Sequence, residues 1–168
     1  YLAFFADREM SHTHEELPFS NHVVICGYGR VGKYIGRALK MIDVPYLVIE
    51  YNQQKAQKLR EEGITVVYGD PADLDILDYA QVDKAKAIVI AIPDLNTQKQ
   101  VISNSLTLNK EIKIYCRNHF EYEQHFLKSL GASFVVHPEF EASLSIVDKL
   151  LKLFGLDDKE ISGKVSRL

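Results

Sequence analysis

The chain has 168 residues, of which 46% are hydrophobic and 26% charged, with 9 Gly and 5 Pro; this is the usage of a folded domain and excludes global disorder. A formal charge of −3 gives no basic footprint for nucleic acid and no polybasic membrane patch, and two cysteines cannot build a disulfide framework. No apolar run approaches the ~20 residues of a spanning helix, no signal-peptide pattern opens the chain, and a start at Tyr1 rather than Met suits a piece of a longer protein.

Residues 1–20 read as a linker or docking arm, apolar over Tyr1-Leu2-Ala3-Phe4-Phe5 and then polar. His22-Val23-Val24-Ile25-Cys26 predicts a buried strand stopped by Gly27. Apolar residues at Val31, Ile35, Ala38, Leu39 and Ile42 predict a helix with Lys33, Arg37 and Lys40 off the stripe. A second strand covers residues 45–49, and Asn52 is an N-cap for a helix that Gly63 stops. A third strand over 64–68 is closed by Gly69-Asp70-Pro71, followed by a short helix over 73–80 and a wholly apolar fourth strand over 87–92. A helix over 95–108 leads to a fifth strand at 112–116, a helix over 121–130 and a weaker sixth strand at 133–136. Pro138 suits the first turn of a last helix, which Gly155 stops, and residues 156–168 read as a polar tail.

Strands alternate with helices, and several strands are apolar on both faces. That pattern predicts an α/β, Rossmann-like doubly wound parallel sheet of six strands, order 3-2-1-4-5-6, with helices on both faces. Cys26 and Cys116 then lie on strands one and five with strand four between them, too far apart to bridge, as buried small hydrophobes.

Gly27-Tyr28-Gly29-Arg30-Val31-Gly32 is G-x-G-x-x-G in the context the motif requires, directly after a strand and opening a helix. Gly27 permits the tight turn, Gly29 lets a pyrophosphate approach the backbone, and Gly32 allows close packing. Amides freed at the helix start bind anionic oxygens, and Arg30 adds a fixed charge. Glu50, about 20 residues further on at the end of the second strand, is placed to accept hydrogen bonds from ribose hydroxyls. A 2′-phosphate would meet a like charge there, so NADPH is disfavoured while NAD(H), AMP, ADP and ATP stay open. Gly27 to Lys33 also matches most of a P-loop, but Tyr34 stands where Ser or Thr would hold Mg2+, which excludes NTP hydrolysis by that route.

Chemistry is harder to find. Hydride transfer needs a second body of chain to hold substrate beside the nicotinamide, and the pattern uses nearly everything from residue 22 to 154. The candidate acid-bases are His119, at the end of the fifth strand, His137, at a strand–helix junction, and His125, on a polar helix. His12 and His14 sit in the arm without further ligands near them, so no metal is expected. The chain reads as a nucleotide-binding module; the alternative is a small NAD-dependent oxidoreductase or a dehydrogenase fragment.

The runs from Val23 to Gly32, Val48-Ile49-Glu50, Tyr68-Gly69-Asp70 and Ile114-Tyr115-Cys116-Arg117 resemble the regulator of K+ conductance (RCK, or TrkA-N) domain, over about residues 22–155. Pro138-Glu139-Phe140-Glu141-Ala142-Ser143 is most similar to members found in Kef-type cation:proton antiporters. The resemblance implies a domain on the cytoplasmic face of the membrane that binds NAD(H), AMP, ADP or ATP and gates a K+ transporter without turning over substrate. It implies a diphosphate at Gly27 to Gly32 with Arg30, a ribose at Glu50, adenine near Gly69, Asp70 and Pro71, and a wall formed by Ala91 and Ile92. Arg117 would face the phosphates or a partner subunit. It also implies a homodimer through the last helix, residues 139–154, and a transmembrane transporter domain in the same full-length chain. Pro71 departs from the small residue usual in the family, and the pattern after Phe154 predicts no second ligand-binding lobe.

Overall fold

Apolar runs of period two and stripes of period 3.6 become six strands and seven α-helices, with one 3-10 turn at Val82–Lys84, over the described residues, 19–168, of the computed structural model. The strands are β1 (Val23–Cys26), β2 (Tyr46–Glu50), β3 (Val66–Tyr68), β4 (Ala87–Ile90), β5 (Lys113–Arg117) and β6 (Phe134–Val136). The helices are α1 (Arg30–Met41), α2 (Gln53–Glu61), α3 (Leu74–Tyr79), α4 (Leu95–Leu108), α5 (Glu121–Ser129), α6 (Pro138–Leu153) and α7 (Asp158–Val165). All five pairings are parallel, and the order is β3-β2-β1-β4-β5-β6, as the alternation predicts. His12 and His14 lie outside the described residues, as does the apolar start of the arm.

The two faces of the sheet are covered unequally. One holds the larger core, in which Val24, Leu47, Leu77, Ile88, Ile102 and Leu127 are fully buried beneath α3, α4 and α5. The other holds a smaller cluster under α1 and α2, built on Ile25, Val48 and Leu59. Beyond α1 that second face is left uncovered by the described residues. Tyr115 and Phe134 are exposed, and they line an apolar groove of about 400 Å3 with Val89 and Val136.

Local signals account for most boundaries. Asn52 Oδ1 accepts from Lys55 N at 2.9 Å and starts α2; Pro138 occupies the first turn of α6. Two expectations are corrected. The fourth strand ends at Ile90, not at residue 92. The polar tail, moreover, folds as α7, because Asp157 and Glu160 form a reciprocal capping box and Ile161 is buried. α6 itself has no fully buried residue, and Ile146, Leu150, Leu153 and Phe154 remain exposed.

Candidate functional site

The carboxyl ends of β1, β2, β3 and β4 are bound into one edge by hydrogen bonds that extend past the strands. Gly27 N donates to Ile49 O at 3.0 Å, Gly69 N to Glu50 O at 3.1 Å, and Ala91 N to Cys26 O at 3.0 Å. The glycine turn, the second-strand carboxylate and the loops after β3 and β4 are therefore neighbours. This edge, where strand order reverses between β1 and β4, is where open α/β sheets take their ligands.

Gly27 turns the chain with φ of +85°, a conformation strained for any residue with a Cβ. A Cβ on Gly32 would strike the Gly27 carbonyl oxygen and crowd the Ile25 side chain, so this glycine allows α1 to start against the end of β1. At Gly29 a Cβ would meet nothing within 4 Å: the space above the turn is open. Gly29 is also the N-cap of α1, and no side chain caps that helix. α2, α3, α4 and α7 are capped by Asn52, Asp73, Asp94 and Asp157, while α5 and α6 lack side-chain caps but carry acidic residues in their first turns. α1 has neither a cap nor an acid there. Its first amides and the positive end of its dipole face the open edge uncompensated, with the exposed Arg30 beside them.

Glu50 ends β2 at 3% exposure, with Oε1 accepting from Asn52 N at 3.0 Å. Asp70 is exposed and its Oδ1 accepts from Ala72 N at 2.9 Å, which shapes the turn after Gly69; Pro71 points inward and is buried. Ala91 and Val31 line the upper end of the apolar groove with Arg117, whereas Ile92 lies against Gly27. Arg117 pairs in register with Val136 at the end of β5, is half-buried, and has a buried Nε without a partner.

Other singled-out residues go elsewhere. The Tyr28 ring is turned away from the edge onto Gly36, with its hydroxyl 3.3 Å from that of Tyr46, and burial raises its pKa well above the usual phenol value. His119 Nδ1 and His137 Nε2 each lie 3.4 Å from a different oxygen of Glu139. The Glu139 carboxyl is held below its ordinary range, first by its own backbone N–H and then by the two imidazoles. His125 is exposed on α5. Cys26 and Cys116 are free and buried, one on each side of Ile90 in the register. Desolvation raises both thiols, Cys116 to about 12, so both stay protonated and unreactive. No group of three or more His, Cys, Asp or Glu among the described residues could hold a metal, and no described helix is long and apolar enough to cross a membrane.

Two fully buried polar side chains at this edge, Gln98 and Asn118, escaped the sequence reading. Asn118 Nδ2 donates to Phe120 O, fixing the loop after Arg117. Gln98 was visible in principle: it precedes Val101, Ile102 and Ser105 on the buried stripe of α4, the one amide on that face.

The TrkA-N domain model matches residues 23–138. The chain belongs to the TrkA-N family. YbaL of Escherichia coli K12, an inner membrane protein named for cation/proton antiport, is 32% identical over 130 residues, covering 77% of this chain and 23% of YbaL. The crystal structure of the YbaL TrkA-N domain superposes with a TM-score of 0.76 at 30% identity, covering 80% of this chain and 99% of that one. KefC of Cronobacter sakazakii, a glutathione-regulated potassium-efflux system protein, is 29% identical over 153 residues, or 91% of this chain and 24% of KefC. GsuK bound to ADP superposes with a TM-score of 0.66 at 26% identity over 72% of this chain and 32% of that one. The chain thus spans about a quarter of the length of the curated relatives it matches.

Proposed function

We propose that this TrkA-N chain is the nucleotide-sensing regulatory domain of a longer membrane protein, a monovalent cation:proton antiporter that moves K+. It binds NAD(H) or an adenine nucleotide (AMP, ADP or ATP) at the carboxyl edge, on the cytoplasmic face of the membrane, and it gates transport rather than turning over substrate. The observation that carries this reading is the start of α1, the one described helix without a cap or a first-turn acid, set above an open Gly29 at the edge that Gly27, Glu50 and Gly69 share. The likeness to YbaL and KefC supports the transporter, and the ADP of GsuK supports the ligand class.

The diphosphate lies on the amides from Gly27 to Gly32 with Arg30 alongside; the ribose hydroxyls donate to Glu50; adenine rests near Gly69, Asp70 and Pro71; Ala91, Ile92 and Arg117 bound the far side. Ligand state passes to the membrane part through a homodimer formed on α6. Burying one large apolar side chain contributes about 1.5–3 kcal/mol, and α6 leaves Ile146, Leu150, Leu153 and Phe154 exposed, enough for a specific contact after association costs.

The test is mass spectrometry of nucleotide released from denatured protein, followed by calorimetry with NADH, NADPH, AMP and ATP. NADH or an adenosine phosphate should bind at least about tenfold more tightly than NADPH, the discrimination one desolvated like-charge contact gives. Equal affinity for NADH and NADPH removes Glu50 from the ribose, and no binding of any of the four removes the nucleotide reading.

A further inference from the structure

Gln98 lies on the buried face of α4 with no solvent exposure. Its side-chain NH2 donates to Ile92 O at 2.7 Å and also to Arg117 O. A primary amide has two N–H donors, and here both hold main-chain oxygens, while Oε1 is buried without a partner. The two carbonyls sit where the sheet stops holding its own ends together: the last register pair between β4 and β5 is Ile90 with Cys116. Past that pair Gln98 replaces the ladder.

The two tethered residues serve opposite sides of the edge. Ile92 packs beneath the glycine turn, so closely that a Cβ on Gly27 would come within 2.9 Å of its Cγ1. Arg117 borders the groove on the other side with its Nε unpartnered. A side chain that served only to fill the core would pack equally well as methionine and would strand no acceptor. What the glutamine adds is the pair of donated bonds.

We infer that Gln98 is a positioning residue for the nucleotide site: one buried amide sets the separation between the phosphate turn, through Ile92, and Arg117. The inference rests on the nucleotide-binding reading above. It makes the turn and Arg117 a single unit, so that loosening one loosens the other.

Gln98→Met keeps the length of the side chain and removes both donors. Calorimetry should show ADP binding weakened about 5- to 10-fold, the effect of one net hydrogen bond. Hydrogen-exchange protection in the ligand-free protein should fall together in two segments, at Gly27 and Ala91 on the turn side, whose amides donate to Ile49 O and Cys26 O, and at Asn118 after Arg117, whose amide donates to Val136 O. Ser105→Ala, which alters another buried polar residue on the same face, should change neither. In an Arg117→Ala background the effect of Gln98→Met on affinity should shrink, because the partner it positions is gone. Gln98→Glu supplies a second variant: its ionised carboxylate cannot donate to the two carbonyls, whereas the protonated acid can donate to one. Protection should therefore recover at one of the two segments, the one whose carbonyl takes the proton, as pH is lowered from 8 to 5. Unchanged protection at both segments in Gln98→Met, or a flat pH profile in Gln98→Glu, overturns the inference. A parent that binds no nucleotide overturns the functional reading, and the exchange experiment, which uses no ligand, still decides the role of Gln98.

Discussion

The carboxyl edge of the sheet and the α6–α7 pair are built on opposite terms. At the edge, main-chain hydrogen bonds run from strand to strand past the ends of the ladder, and Glu50, Gln98 and Asn118 are buried and bound. α6, by contrast, has no fully buried residue, packs chiefly on α7, and exposes Leu153 and Phe154 at 79% and 78%. A 16-residue amphipathic helix draws most of its stability from burial of its apolar stripe, so the described residues complete the first region and leave the second uncovered among themselves. The difference separates two tasks: a preformed edge can hold a ligand, and an unfinished helix can report that ligand to whatever covers it.

The largest effect that would break this comparison is at the turn. Gly29→Val places its side chain in open space at a φ of −80°, so Tm should move little while nucleotide affinity falls by about a hundredfold or more, since the branched side chain occupies the phosphate approach. Unaltered affinity by calorimetry would show that the turn only packs. Next in size is the helix. Leu153→Asp with Phe154→Asp should weaken dimerisation by about tenfold to a hundredfold in sedimentation equilibrium, with the thermal unfolding of the monomer unchanged. A strictly monomeric parent, or a variant that dimerises equally well, would leave α6 without its proposed role.

The sequence showed the edge better than it showed the helix pair, for physical reasons. Parallel strands with right-handed crossovers leave few orders open, and the glycine turn, the Asn52 cap and Pro138 act over a few residues, where spacing is informative. Three things depended on the assembled structure. α7 forms because a capping box and burial of Ile161 offset the polarity of its segment. β4 stops two residues early because the Ile92 carbonyl is taken by Gln98 from α4 rather than by a neighbouring strand. Tyr28, in the middle of the motif, turns to Gly36 because the missing Cβ one helical face away leaves a slot for its ring. For Gln98 and Tyr28 the partner is one that linear spacing does not identify, whereas the Asp157–Glu160 box has readable spacing and only the burial of Ile161 needed the fold.

The smallest expected effect concerns the amino-terminal edge, opposite the ligand side. His22 is fully buried; Nε2 donates to Ala80 O at 3.0 Å, Nδ1 has no partner, and the Phe19 ring lies 5.4 Å away. Burial lowers its pKa below 6.5, more strongly than the Ala80 carbonyl and Asp83 raise it. The unfolded chain therefore takes up a proton near pH 6.5 while the folded chain resists it. Stability attributable to His22 is complete above pH 6.5 and is lost as pH falls toward the lower folded value. His22→Gln keeps a donor for Ala80 and does not titrate. Denaturant unfolding at pH 7.5 and 5.5 should show the parent losing more stability than the variant across that interval. Because carboxylates titrate alike in both proteins, the difference between them isolates the imidazole, and equal losses would place a proton on His22 in the folded state.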